Sequence, residues 1–185
     1  PQSPSPGALR RLLDGLYALS GFLAAFFVVA IFVTMIATTV MRTLEIRTGG
    51  FEEIVAWLTA AAAFTGLAHT FKHGDFVRVE LMLSRLSPPR RRGFEIFALA
   101  TGTLFTGYMA WSTIDYVLES YRFGDMASGQ IVIPIWIPQL SFVLGVVLLF
   151  IAMVDELVRV IGGARPTYVL AVEERHARGD FSEDV

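Results

Sequence analysis

Residues 15–41 read GLYALSGFLAAFFVVAIFVTMIATTVM, a run without one Asp, Glu, Lys or Arg. Wound as a helix rising 1.5 Å per residue, it is more than long enough to cross a hydrocarbon core of about 30 Å. Its Phe, Val, Ile and Leu side chains lie all round the circumference, as in a helix set in lipid or in a bundle core. Arg10 and Arg11 in front of it give it the look of a secretory leader. The run is too long for one, and no A-x-A-like site precedes a soluble domain, so it reads as a retained span. The chain opens at Pro1 in place of Met, which implies a processed or replaced start.

Three further charge-free windows follow, at Ile54–Phe71, Ile96–Ile114 and Met126–Val154. Over the whole 185 residues, 54% are hydrophobic and 17% charged, with a mean hydropathy of +0.58, which is membrane composition. The reading is an all-α integral membrane protein with four transmembrane helices, at about 16–41, 51–71, 93–118 and 138–161. One interfacial amphipathic helix is added at about 76–86, and residues 1–14 and 162–185 are cytoplasmic tails around a 15–161 membrane domain. Four spans leave little chain for an aqueous domain. The chain has no cysteine, which excludes disulfides, thiolate metal sites and cysteine nucleophiles.

The ends of the spans carry local signals. Gly49 and Gly50 turn the chain, and Glu52 and Glu53 fall in the first turn of the second span, where negative charge complements the helix dipole. That span offers a small-residue face, Ala56, Ala60, Ala63 and Gly66 beside Trp57, suited to close helix packing within the chain or against another subunit. The third span repeats the device at Thr103 and Gly107, and Trp111, Tyr116 and Tyr121 form an aromatic belt at its far end. Pro134, Trp136 and Pro138 precede the fourth. Prolines at that spacing disfavour a helix running through, so an apolar elbow along the membrane surface is expected there.

Basic residues divide unequally between the two faces. The N-terminal tail, the 72–92 loop and the C-terminal tail together with Arg159 at the end of the last span hold 12 Lys or Arg, and the opposite loops hold Arg42, Arg47 and Arg122. By the positive-inside rule both termini are cytoplasmic. The central loop reads KHGDFVRVELMLSRLSPPRRR over Lys72–Arg92. At 100° per residue Phe76, Val79, Met82, Leu83 and Leu86 share one arc, with Arg78 and Arg85 beside it, as in a helix lying in the headgroup layer. A strand is the competing reading, which Leu81-Met82-Leu83 interrupts. Pro88 and Pro89 stop the helix, and Arg90, Arg91 and Arg92 hold the loop at an anionic leaflet or simply set topology.

Little in the chain suggests reaction chemistry. His69 and His73, one helical turn apart, have a spacing that suits a metal, and a four-helix membrane bundle suggests haem. The remaining histidine, His176, lies in the polar tail, so no ligand faces them across a bundle and no cofactor is expected. No span has an ionisable residue in its central stretch, and Asp155, Glu156 and Arg159 are placed at a water-exposed end, with Asp155 and Arg159 as a screened surface pair. On this reading the chain has no buried charge.

The retained first span, the Glu52-Glu53 start with Trp57, the 72–92 segment and the PxWxP entry at Pro134, Trp136 and Pro138 together resemble the small membrane subunit of tripartite ATP-independent periplasmic (TRAP) transporters. The likeness covers about Leu16–Gly162. Members of that family often have His at the position of Asp75 and Asp at that of Glu80. The resemblance implies a bacterial inner-membrane complex that is driven by a sodium gradient. Its large multi-span subunit moves an organic acid delivered by a periplasmic substrate-binding protein, while the small subunit is a non-catalytic scaffold. On that reading the acidic outer positions Glu45, Glu52, Glu53, Glu119 and Asp125 are candidates for docking the binding protein, and the 76–86 helix anchors the scaffold in membrane lipid. A stand-alone homo-oligomeric channel or carrier and a respiratory-complex membrane anchor are the alternatives.

Overall fold

The computed structural model describes residues 8–73, 88–163, 166–167 and 170. Four α-helices account for nearly all of them: α1 (Ala8–Thr43), α2 (Phe51–His73), α3 (Pro88–Phe123) and α4 (Trp136–Ile161). The expected surface helix, with Phe76, Arg78, Val79, Met82, Leu83, Arg85 and Leu86, lies outside the described residues, as does the side chain of Arg90.

Helices α1, α2 and α4 are each long and apolar enough to cross a membrane. Helix α3 is the longest together with α1, at 36 residues or about 54 Å. Its midsection is diluted by Thr101, Gly102, Thr103, Thr106 and Gly107. Both long helices run past the expected spans at each end, whereas α2 and α4, at 23 and 26 residues, stay close to bilayer length. The prolines read as a stop are the start of α3: the first turn of a helix has no intrahelical use for an N–H, so Pro88 fits there.

The helices pack as an open row in the order α1, α2, α4, α3, with α1 touching α4 only slightly. Each runs opposite to the one before it in the chain, so the neighbours α2 and α4 lie parallel. The row therefore has a terminal end, where α1 and α3 begin and α2 and α4 finish, and a loop end carrying the two tight connections. Small residues set the spacing. A Cβ on Gly145 of α4 would overlap the Phe64 carbonyl of α2, and one on Gly107 of α3 would stand 2.9 Å from the Phe150 ring of α4. Gly66 of α2 faces Ala24 of α1, so Gly66 of the small-residue face is used inside the chain. Ala56, Ala60 and Ala63 are exposed, and Trp57 is half-buried.

A core at the terminal end draws on every helix, through Tyr17 and Leu13, Ala68 and Phe71, Leu99 and Ile96, and Leu148, Ala152 and Val160. Elsewhere the row is one layer thick. Phe22, Phe26 and Phe32 on α1 and Phe97, Leu104 and Phe105 on α3 are all more than half exposed, which in water would be untenable. The buried hydroxyls of Thr65, Thr106 and Thr113 donate to carbonyls one turn back, the usual local solution in an apolar setting.

Both connections at the loop end are closed by backbone hydrogen bonds. After α1, Glu45 adopts φ 57°, and the N–H groups of Glu45 and Ile46 return to the carbonyls of Arg42 and Met41. Gly124, at φ 66°, does the same after α3, with Asp125 N–H donating to Ser120. The chain from Asp125 to Ile135 then folds into a narrow hairpin-like loop: Ala127 N–H donates to Ile133 O at 2.8 Å, and Ile135 N–H to Asp125 O at 2.9 Å. The expected elbow is thus the return arm of this loop, and the helix begins before Pro138, at Trp136. Pro138 is accommodated because it stands in the first turn, and Trp136 meets Tyr121 edge to face at 5.6 Å.

Candidate functional site

Two polar assemblies interrupt the apolar row, one at each end. The terminal-end assembly joins residues distant in sequence. Lys72, in the last turn of α2, is 5% exposed and donates to Asp155 and, at 2.9 Å, to Glu156 Oε2. Arg10 of α1 adds a 3.4 Å contact to the same Asp155 carboxylate and a 3.3 Å pair with Asp14. Glu156 is 0% exposed. Its carboxylate also accepts the backbone N–H of Thr167 and, at 2.9 Å, the Thr167 hydroxyl. The Tyr17 ring lies under the Lys72 ammonium, 5.0 Å from its centroid.

This corrects the expectation of water-exposed span-end charges and of a chain without buried charge. Asp155 turns to Lys72 and Arg10 instead of forming the surface pair with Arg159. A signal was present: Gly145, Leu148, Ala152, Glu156 and Val160 recur every three or four residues and are all buried, so Glu156 sits on the packing stripe of α4. A buried ion pair stands only when the remaining lone pairs are hydrogen-bonded, and Thr167 does that for Glu156.

The histidines border this assembly. His69 Nδ1–H donates to the Tyr17 carbonyl at 3.2 Å, His73 Nδ1–H donates to the His69 carbonyl at 2.9 Å, and the two rings stack at 4.0 Å. Their Nδ1 atoms bind backbone of α1 and α2, and a Cβ on Gly21 would lie 2.6 Å from the His69 ring, so the imidazole fills a notch in α1. No group of three or more potential metal ligands occurs among the described residues.

At the loop end Glu53 reaches the 125–135 loop and accepts the N–H groups of Gln130, at 2.5 Å, and Ile131, at 3.2 Å. Gly129 lies so close to that carboxylate that a Cβ would overlap it. Of the acidic positions expected to face a binding protein, Glu53 is therefore engaged within the chain. Glu45, Glu119 and Asp125 are exposed, and the exposed Glu52 stands 3.8 Å from Arg42 at the mouth of a recess of about 320 Å³ between α1 and α2. Among the loop arginines, Arg91 pairs with Glu95 at 3.0 Å, and Arg92 donates to the Val160 and Ile161 carbonyls at the C-terminus of α4. Two of the three thus tie α3 to itself and to its neighbour.

Removing the Glu53 carboxylate takes the acceptor from the exposed Gln130 N–H and the part-buried Ile131 N–H, at a cost of about 1 kcal/mol because water can reach them. Glu53→Ala is expected to loosen the loop without unfolding the row, and Gly129→Ala to do the same by displacing the carboxylate. Because the chain has no native cysteine, the check is maleimide labelling at Ile131→Cys. Labelling should be faster in both variants than in the Cys-substituted parent.

A single layer of apolar helices, charged only at its ends, defines an all-helical membrane protein. Comparison with known proteins places it more narrowly. The family model for the DctQ component of tripartite ATP-independent periplasmic transporters matches residues 31–163, and the chain belongs to this family of small permease subunits. It is 30% identical over 94 residues to the C4-dicarboxylate TRAP transporter small permease protein DctQ of Rhodobacter capsulatus. That match covers 51% of this chain and 41% of the relative. No solved structure gives a significant match.

Proposed function

We propose that this chain is the non-catalytic scaffold subunit of a secondary-active, sodium-gradient-driven and binding-protein-dependent transporter for organic acids. Its partners are a large multi-span transport subunit and a periplasmic substrate-binding protein. In this reading all four helices cross a bacterial inner membrane, with α3 shielded from lipid in part by its partner, and both termini are cytoplasmic. The name of the relative, a C4-dicarboxylate system, supports an organic acid as substrate.

The observation that carries the scaffold role is the order of the row. One layer of helices encloses no lumen, and the buried charges among the described residues, Lys72 and Glu156, are paired with each other at the terminal end. What it offers is lateral area: the exposed aromatic faces of α1 and α3 and the Ala56, Ala60, Ala63 stripe of α2. A large subunit braced against such a wall would be held still along its length. The exposed acids Glu45, Glu52, Glu119 and Asp125 supply the surface for the binding protein, and the 76–86 segment anchors the scaffold at the inner leaflet.

The test is uptake into proteoliposomes under a sodium gradient with the binding protein present, comparing this chain alone with the complete assembly. Accumulation is expected only in the complete assembly. Accumulation with the chain alone would overturn the scaffold reading in favour of a homo-oligomeric carrier.

A further inference from the structure

Beyond Gly163 the chain has left the last helix, yet it comes back to it. Pro166 is buried, and Thr167 and Leu170 are half-buried. Thr167 gives both of its donors, the backbone N–H and the hydroxyl, to a carboxylate that is itself wholly enclosed. Leu170 N–H donates to the Pro166 carbonyl at 3.3 Å. On its other side Glu156 meets Lys72, and Lys72 meets Asp155 and through it Arg10. Thr167 is therefore the outermost member of a chain of polar contacts running through α4 and α2 to α1.

We propose that the segment around Pro166–Thr167 is a strap with two states, docked on Glu156 or lifted from it, and that docking keeps the Lys72–Glu156 pair dry. The carboxylate is the receptor and Thr167 the plug. Lifting the strap removes two donors from Glu156 and admits water to the pair. The attraction that draws α2 to α4 at this end then weakens, because an ion pair in water is worth a small fraction of one in a low-dielectric site. Whatever holds or pulls the tail beyond Leu170 would so set how tightly the terminal end is closed. The inference does not depend on the scaffold role, because it rests on contacts within this chain alone.

Substitutions at Thr167 separate the two donors. Thr167→Ser keeps both. Thr167→Val is close in shape and removes only the hydroxyl. Thr167→Pro removes both, at a position in a first helical turn where proline is welcome. The probe is Pro166→Cys, a single thiol in a chain without cysteine, buried while the strap is docked. It is labelled with membrane-permeant N-ethylmaleimide in membranes containing the intact transporter, and the unreacted thiol is counted by gel shift after denaturation. A hydrogen bond to a charged acceptor shifts an opening equilibrium by about tenfold or more. When closing is fast, the labelling rate follows that equilibrium. The rate is expected to be unchanged in Thr167→Ser, about tenfold higher in Thr167→Val and about a hundredfold higher in Thr167→Pro. Equal rates for Ser and Val at position 167, or a thiol labelled at once in the parent, would overturn the strap. The Ser and Val pair decides the matter even when the proline variant does not assemble.

Discussion

Lys72→Ala is expected to destabilise the chain by about 3–5 kcal/mol, the cost of leaving a buried charge without its partner. Glu156 is enclosed, and after the substitution its negative charge is met by the two Thr167 donors alone, while Asp155 keeps only the longer contact to Arg10. Glu156→Ala should cost a comparable amount, since Lys72 would then share one carboxylate with Arg10. The double replacement Lys72→Met with Glu156→Met removes both charges and fills the space, and is expected to recover most of the loss. Thermal unfolding of the purified protein at fixed detergent and pH reads all three. A Lys72→Ala protein as stable as its parent would mean that water reaches Glu156.

The second large effect is expected at Gly145. The Phe64 carbonyl of α2 lies where its Cβ would be, and backbone cannot rotate aside as a flexible side chain does. Gly145→Ala already forces α2 and α4 apart and should cost about 1–3 kcal/mol. Gly145→Leu should part the row at its centre, leaving α1 with α2 and α3 with α4. Co-expressing residues 1–80 and 81–185 as two polypeptides makes the parting visible. The halves are expected to co-purify in the parent, weakly with Gly145→Ala and not with Gly145→Leu. Co-purification unaffected by leucine would show that the α2–α4 joint is held elsewhere, for example by Phe64 against Phe142, whose rings are 4.1 Å apart.

Helix type and location were legible because a run such as 15–41 leaves the chain no other economical structure in a membrane. The family was legible from order and topology in the same way. The polar assembly was not, for a physical reason. Read along the chain, Lys72, Asp155 and Glu156 stand at the edges of apolar windows, where water is the default. Their burial comes from packing across the row, between residues more than 80 positions apart. The helical spacing of Glu156 with Ala152 and Val160 held the clue, and it becomes visible only when charge is placed on the wheel as well as on the line. The second role of Glu53 was hidden in the same way. A first-turn acid has a sufficient local role, and its bonds to Gln130 and Ile131 depend on a loop whose hairpin closure no local motif announces. The Pro134–Pro138 spacing disfavours a helix running straight through, and the helix does start within it, at Trp136, with Pro134 before it and Pro138 in its first turn.

The order of the row also governs how the molecule is made. A ribosome delivers α1, α2, α3 and α4 in that sequence, but α3 has its main neighbour in α4, and α4 must settle between two helices already synthesised. Until then the α2 surface around Phe64 is vacant, and the most polar helix, α3, is without the companion that covers it. Assembly is therefore completed by the last helix and not by accretion in chain order. Variants that delay or weaken α4 should be lost to quality control during synthesis, before any finished protein exists to be measured.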